Sequence, residues 1–361
     1  MGSVRETSAI IRRNFGPSSA TTKLMIAVTL RRWWNRATCA LDHVFFPGFR
    51  RRRIERPVFV LGNPRSGTTL MHRFLDGSPE LAGFHLWEML VPALTSRRLL
   101  RGLVPALERR FTQTPELAAI HTTGPSYAET DDAYLLLSHL DGPLYWAGVC
   151  AWDEGFADRI VAPEFLEAAE ERLYPLLEGA WRRNLHASGK PRILVKSSLT
   201  TATIPGLLRR YPDARLLYMM RSPLQVIPSM LSLLDHNYAH RLAAIRPPSE
   251  AQLARFHETG YRLACELYRR FHAEHAGGEI PASQLHIVSY KALMRDFEGE
   301  IRAALAAIEV DAAPLAGPIA EIAGRQRGRQ SKHRYTLEQY GLSEAQLRRD
   351  LACIFDNYDV E

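Results

Sequence analysis

Cysteine is scarce in this chain. Only Cys39, Cys150, Cys265 and Cys353 occur in 361 residues, far apart and at no metal-ligand spacing. That argues against a zinc module and a disulfide scaffold, and leads us to expect buried, reduced thiols in a reducing compartment. Long apolar runs are missing too: no stretch approaches the ~20 apolar residues that cross a bilayer. The first residues lack an apolar segment followed by a small-residue cleavage site, so no cleaved leader is expected. Acidic residues are outnumbered, 39 Asp plus Glu against 46 Lys plus Arg, giving a formal charge of +7. That balance suits an anionic partner without specifying one. The rest, 46% hydrophobic and 24% charged, is an ordinary globular composition, long enough for one large or two medium domains.

The chain is organised around residues Arg56 to Glu88. Val58 to Leu61 is an unbroken apolar run with the length of a strand covered on both faces. Gly62 opens the loop GNPRSGTT, and Leu70, Met71, Phe74 and Leu75 then recur at helical spacing. A strand, a glycine loop and a helix N-terminus in that order hold phosphate on backbone N–H groups and on the positive end of a helix dipole. A nucleotide-binding P-loop places Lys directly after its second glycine. Thr68 stands there in this chain, and the cation is Arg65, inside the loop. The bland alternative for the loop alone is a strand–turn–helix that binds nothing.

Residues 1–20 are polar, with Gly16, Pro17 and serines, and are expected to be loose or only locally ordered. From Thr21 to Phe46, Ile26, Leu30, Trp34, Ala37, Leu41, Val44 and Phe45 fall three or four apart, and Lys23, Arg31, Arg32 and Arg36 crowd the polar side. Two readings are open for this basic amphipathic helix. It lies on an anionic membrane surface, or it packs its stripe on the catalytic domain or a second subunit, as in a homodimer. The run Arg50 to Arg53 reads as a solvated connector. The expected organisation is an N-terminal tail and helix over 1–56 and one domain over 57–361, with a helical insert at about 90–190. In that insert Leu99 to Phe111 and Phe165 to Trp181 read as helices. Glu129, Asp131 and Asp132 cluster before an aromatic segment, and the insert as a whole is the candidate acceptor-binding wall. Acids that complement a helix dipole would explain the cluster equally well.

A second sheet unit begins at Arg192. RILVKSS is a buried strand ending at Lys196, Ile204 to Tyr211 reads as a crossover helix, and ARLLYMMR is a strand ending at Arg221. The alternation predicts an α/β protein, a P-loop-like three-layer fold with a central parallel sheet flanked by helices. Ligands of such sheets sit beyond the carboxyl ends of the strands. Gly62, Lys196 and Arg221 all fall there.

With these pieces in order, the chain resembles the sulfotransferases that use 3′-phosphoadenosine-5′-phosphosulfate (PAPS), in particular the bacterial and tyrosylprotein branches. The loop P-R-S-G-T-T is similar to their 5′-phosphosulfate loop. Arg221 and Ser229, in an R-x7-S spacing, are similar to the pair that grips the 3′-phosphate; a planar guanidinium fork and a hydroxyl suit phosphate oxygens. Lys196 takes the place of the family's lysine at the end of the preceding strand. LHIVSYKAL resembles the last family strand, with Lys291 departing from the usual acid, and Tyr290 in it would meet the adenosine. RQRGRQSKHRYTLEQYGLS resembles the bacterial C-terminal segment. Ser249 with Gln252 and Ser343 with Gln346 read as helix starts, and Gly277-Gly278 as a stop.

The resemblance implies transfer of a sulfuryl group from PAPS to a hydroxyl of a sugar, lipid, phenol or peptide. Arg65 and Lys196 would face the bridging oxygen, and Ser66, Gly67, Thr68 and Thr69 would surround the 5′-phosphate. PAPS is the cosubstrate, with neither metal nor nucleic acid expected. Cytosolic members carry His two residues after the lysine, where this chain has Ser198, a hydroxyl too weak to be a base. Other branches use a Glu after the loop helix, which resembles Glu88. His85 and the Glu129–Asp132 cluster stand behind it, and a structural carboxylate paired with an arginine is the bland alternative. The expected location is cytoplasmic, or peripheral at the inner membrane face. Two other classes remain open: a P-loop kinase-like phosphotransferase, which needs the missing lysine and a magnesium-binding acid, and a non-catalytic basic adaptor for membranes or nucleic acid.

Overall fold

The computed structural model describes residues 3–112, 123–239, 245–326 and 336–361. The chain divides into two compact units. A sheet unit takes Glu55–Ala82, Lys190–Ser232 and Tyr261–Glu361, and a helical unit takes Met1–Ile54, Gly83–Gly189 and Leu233–Gly260. Most of the predicted insert thus belongs with the N-terminal helices.

The sheet unit is built on five parallel strands: β1 Val58–Leu61, β2 Leu81–Ala82, β3 Arg192–Lys196, β4 Arg215–Met220 and β5 Leu285–Ser289. Their order is β2-β3-β1-β4-β5, the α/β architecture expected. The central strands are apolar on both faces because both faces are covered. Val58, Val60, Leu194, Leu217, Met219 and Val288 join Met71, Phe74 and Leu75 of the Thr68–Asp76 helix and Phe297, Ile301 and Leu305 of the Phe297–Ala307 helix in one core. Tyr218, the alternate residue of β4, is stacked against Phe271. Burying two such layers is the main stabilising term, at roughly 25 cal/mol for each Å² of apolar surface removed from water. Register pairs Val60 with both Lys196 and Leu217. It follows that the loop after Leu61, Lys196 at the end of β3 and Arg221 just past β4 share one carboxyl edge. Tyr290 is the first residue of the helix Tyr290–Arg295, one position beyond β5. The sequence reading had placed it inside the strand.

In the helical unit the N-terminal segment, expected to be loose or only locally ordered, forms a packed helix. Val4–Phe15 is a helix whose cap, Ser3 Oγ, accepts the Glu6 N–H at 2.9 Å. Ile10, Ile11 and Phe15 are buried, and Phe15 sets its edge on Trp152, which stacks on Phe256. Three buried apolar side chains suffice to order a short segment that its polar composition disguises.

The long helix Ser19–Phe45 forms as predicted, but its polarity runs opposite to that of an ordinary surface helix. Thr21, Asn35, Thr38 and Asp42 are buried together with the single apolar Met25, whereas Ile26, Leu30, Trp33, Trp34, Leu41, Val44 and Phe45 are exposed. The inward side is held by polar bonds. Asp42, fully buried, accepts Arg183 Nε at 2.7 Å, the Leu94 N–H at 2.9 Å and the Thr95 N–H and Oγ1 at 2.8 Å. The predicted Leu99–Phe111 helix is two helices, Leu94–Leu100 and Val104–Arg110, joined by a 3-10 turn at Arg101–Leu103.

Both predicted capping boxes bear on helix starts that form. Ser249 and Gln252 exchange two hydrogen bonds at the start of Glu250–Ala276, which stops before Gly277, and Ser343 Oγ accepts the Gln346 N–H. Residues 327–335 of the basic segment similar to the bacterial C-terminal motif lie outside the described residues.

Candidate active site

The sheet unit gathers the predicted phosphate ligands by direct contact. Gly62, at φ +128°, turns the chain out of β1; a Cβ there would lie 2.7 Å from the Met219 carbonyl oxygen, so only glycine fits beside β4. Its N–H donates to Thr201 Oγ1 at 3.2 Å. Ser66, fully buried, closes the loop on itself: its N–H and Oγ both donate to the Asn63 carbonyl, at 3.1 and 2.7 Å. Arg65 sits at φ +77°, a conformation that costs a non-glycine residue free energy and concentrates at ligand sites. Gly67, at φ +100°, is the N-cap of the Thr68–Asp76 helix, so the first orphan N–H groups and the positive dipole end lie at Thr68 and Thr69.

Four contacts tie this loop to the other strand ends. Arg65 Nε donates to Ser229 Oγ at 3.0 Å. Arg221 Nη1 donates to the Arg65 carbonyl at 2.8 Å, and its guanidinium lies 4.2 Å above the Tyr290 ring. The same ring covers Gly67, where a Cβ would come within 2.8 Å of it. Lys196, 6% exposed, donates from Nζ to Thr69 Oγ1 at 2.8 Å. Loop, lysine, arginine, serine and tyrosine therefore form one constellation of cations, hydroxyls and backbone donors. Sequence reasoning missed two positioning contacts. Gln225 accepts Arg221 Nε at 3.1 Å, and the Tyr268 hydroxyl donates to the Arg221 carbonyl at 2.7 Å. Gln225 was legible as the i+4 neighbour of Arg221, but Tyr268, on a distant helix, was not.

The residues considered for proton transfer lie in the helical unit. Glu88 is the third residue of a short helix, Leu86–Leu90. Its Oε2 accepts the His85 N–H at 3.0 Å and stands 3.1 Å from His85 Nδ1, and its Oε1 faces Arg97 Nη1 at 3.4 Å. Burial pushes the Glu88 carboxyl up, but the Arg97 guanidinium and the His85 hydrogen bonds outweigh it and hold the group below its usual range. Arg97 Nη1 also donates to Asn184 Oδ1, whose Nδ2 holds the Gly83 carbonyl. The acidic cluster is committed elsewhere. Asp131 Oδ2 accepts Trp181 Nε1 at 2.9 Å, Glu129 Oε1 accepts Thr123 Oγ1 at 2.6 Å, and both carboxylates, with Asp132, are buried. The backbone still brings that segment beside His85: the Glu129 N–H donates to the Phe84 carbonyl, and Ala128 bridges His85. Among the described residues no group of His, Cys, Asp or Glu is arranged to hold a metal ion.

A glycine loop opening a helix at the carboxyl edge of a parallel sheet, flanked by cations from neighbouring strand ends, is where α/β folds place their ligand sites. Residues 57–314 match the model of the sulfotransferase family, and the chain belongs to that family. Its curated relatives include an omega-hydroxy-beta-dihydromenaquinone-9 sulfotransferase of Mycobacterium bovis and that of Mycobacterium tuberculosis. Each is 22% identical over 257 residues, covering 69% of this chain and 61% of the relative. The chain thus matches less than two thirds of those relatives' length. Among solved structures, sulfotransferase STF1 of M. tuberculosis superposes with a TM-score of 0.71 at 19% identity, covering 97% of this chain and 92% of that one. Sulfotransferase STF9 of Mycobacterium avium does so with a TM-score of 0.73 at 19% identity, covering 100% and 92%. The three share a fold.

Proposed function

We propose that the protein transfers a sulfuryl group from PAPS to an acceptor hydroxyl. The observation that carries this is the single constellation formed by Arg65, Lys196, Arg221 and Ser229 around the Gly62–Thr69 loop. PAPS has two phosphate positions, and this constellation has two poles to receive them. The Thr68–Thr69 helix start with Lys196 suits the 5′-phosphosulfate, and Arg221 with Ser229 suits the 3′-phosphate. The donor set fits the ligand: cations, hydroxyls and backbone N–H groups, in a loop whose close turns admit only glycine at Gly62 and Gly67.

PAPS, when bound, supplies the sulfuryl group and leaves as a bisphosphate. As the acceptor oxygen approaches sulfur in line, negative charge grows on the oxygen bridging to the 5′-phosphate. Arg65 and Lys196 stabilise that charge, as fixed cations do in phosphoryl transfer. Thr69 orients the Lys196 ammonium toward the helix start. Glu88 is the residue we propose to take the acceptor proton, with His85 in hydrogen-bond contact behind it. The acceptor is a hydroxyl-bearing molecule. The relatives' name describes a hydroxylated menaquinone, a compound of that class.

Two outcomes test the reading. The protein should be retained on immobilised adenosine 3′,5′-bisphosphate, eluted by PAPS and not by ATP, and sulfuryl transfer should persist in EDTA because protein cations carry the charge. Retention competed by ATP, or activity lost to EDTA and restored by magnesium, would favour a kinase-like phosphotransferase. The 3′-phosphate pole has its own test. Arg221→Ala should weaken PAPS binding by about 2 kcal/mol, roughly thirtyfold in Kd, and should affect adenosine 5′-phosphosulfate, which lacks the 3′-phosphate, far less. Equal losses for the two ligands would remove Arg221 from that role.

A further inference from the structure

The helical unit carries a surface that the transfer reaction does not explain. On the helix Ser19–Phe45, the residues turned outward are the large apolar ones: Trp33 and Val44 are 72% exposed, Leu30 64% and Phe45 63%. The residues turned inward are Met25 and four polar ones, Thr21, Asn35, Thr38 and Asp42. Water alone would favour the opposite rotation, since each large apolar side chain left in solvent forgoes ~1.5–3 kcal/mol of burial. The buried ties of Asp42 to Arg183, Leu94 and Thr95 fix the helix in this rotation. An open groove lined by Leu30, Arg31, Trp33, Trp34 and Ala37 runs along the outward face. The adjoining segment has a second exposed row, Leu99, Leu103, Leu107 and Phe111, each four residues from the last.

Charge identifies what covers this face. The segments 19–54 and 94–111 carry Lys23, Arg31, Arg32, Arg36, Arg50 to Arg53, Arg98, Arg101, Arg109 and Arg110. Their acids are Asp42, buried against Arg183, and Glu108, which binds the Ser126 N–H. A second copy of the chain would set these arginines against one another. An anionic surface with an apolar interior answers both the cations and the tryptophans, which favour the headgroup level. Among the described residues no helix is long and apolar enough to cross a membrane. We infer that the helix Ser19–Phe45 and the adjoining Leu99–Phe111 row seat the protein on an anionic phospholipid surface, lying in its interface. This inference does not depend on the sulfuryl-transfer reading.

Flotation of the full chain with vesicles tests it. The protein should float with phosphatidylcholine vesicles containing phosphatidylglycerol, weakly or not at all with phosphatidylcholine alone, and less as salt rises. Tryptophan emission should shift to the blue on binding. Trp33→Ser with Trp34→Ser should abolish flotation, and Arg109→Glu with Arg110→Glu should weaken it by at least fivefold for each cation removed, roughly the value of one cation at such a surface. Both pairs are exposed, so the thermal midpoint should stay at the wild-type value, as should retention on the bisphosphate resin. Wild-type protein that ignores anionic vesicles overturns the inference. A dimer in solution that Trp33→Ser with Trp34→Ser dissociates would give the face to a second copy instead. Retention on the bisphosphate resin reads the sheet unit separately, so either proposal can fail without the other.

Discussion

Lys196→Ala is expected to lower turnover by ~10²–10³-fold at saturating PAPS, the range seen when one fixed transition-state donor is removed. The side chain ends β3, is 6% exposed, and is held by Thr69 at 2.8 Å beside the helix start. A cation so placed meets charge that develops only as the bond to sulfur breaks, so its loss should appear in kcat more than in the affinity for PAPS. Lys196→Arg should recover part of the loss, because it restores the charge and not the geometry. Steady-state kinetics with both substrates varied decides the matter. A raised KM for PAPS with unchanged kcat would make Lys196 a ground-state ligand and leave Arg65 as the principal cation at the leaving oxygen.

Glu88→Gln is expected to lower kcat by ~10²–10⁴-fold, the usual contribution of a general base, while PAPS affinity stays nearly unchanged. The pH profile separates the candidates. Arg97 and His85 hold the Glu88 carboxyl below its ordinary range, so an acidic limb set by Glu88 should lie below the ordinary glutamate range and vanish in the variant. An acidic limb near pH 6–7, in the ordinary range of an imidazole, would move the role to His85, with Glu88 orienting its ring through Nδ1. Normal turnover in Glu88→Gln combined with a defect in Asp131→Asn or Asp132→Asn would place the base in the acidic cluster. The same ion pair links stability to pH. The Glu88 pKa is lower folded than unfolded, so its stabilisation is present above about pH 4.3 and is lost as the pH falls through the folded value.

The parts of this molecule that could be read from the chain are those that local chemistry over-determines. β1, β3 and β4 are apolar runs with buried faces on both sides, and the loop announces itself by Gly62 and Gly67, which no other residue can replace without collision. Lys196 and Arg221 were legible because a charge that ends an apolar strand has few other reasons to be there. β2 was not, being two residues long. The pairing of Glu88 with Arg97 and the contact of Tyr268 with Arg221 depend on tertiary placement that no spacing reveals. The spacing of the Ser19–Phe45 helix disclosed an apolar face but not its direction. Periodicity reports that a helix has two sides; only its neighbours determine which one is inside.

The strand order has a kinetic consequence. β3 and β4 are joined by the short crossover through Ile204–Arg210, yet they do not touch: β1 lies between them, and its Val60 pairs with Lys196 on one side and Leu217 on the other. Chain-local assembly can complete the β3–β4 crossover early, but the seat between its strands must wait for a partner separated from it by the whole run of residues between Leu61 and Arg192. Long-range pairing of this kind bears its loop-closure entropy before contacts reward it, and so comes late. The strand that fills this seat is the one that carries the loop Gly62–Thr69. A chain with β3 and β4 in place but without β1 between them would expose two facing, unpaired strand edges, a form prone to aggregation. A ligand that grips the loop and both neighbouring strand ends together would bind only the finished sheet, and so would draw the last step of folding forward by mass action.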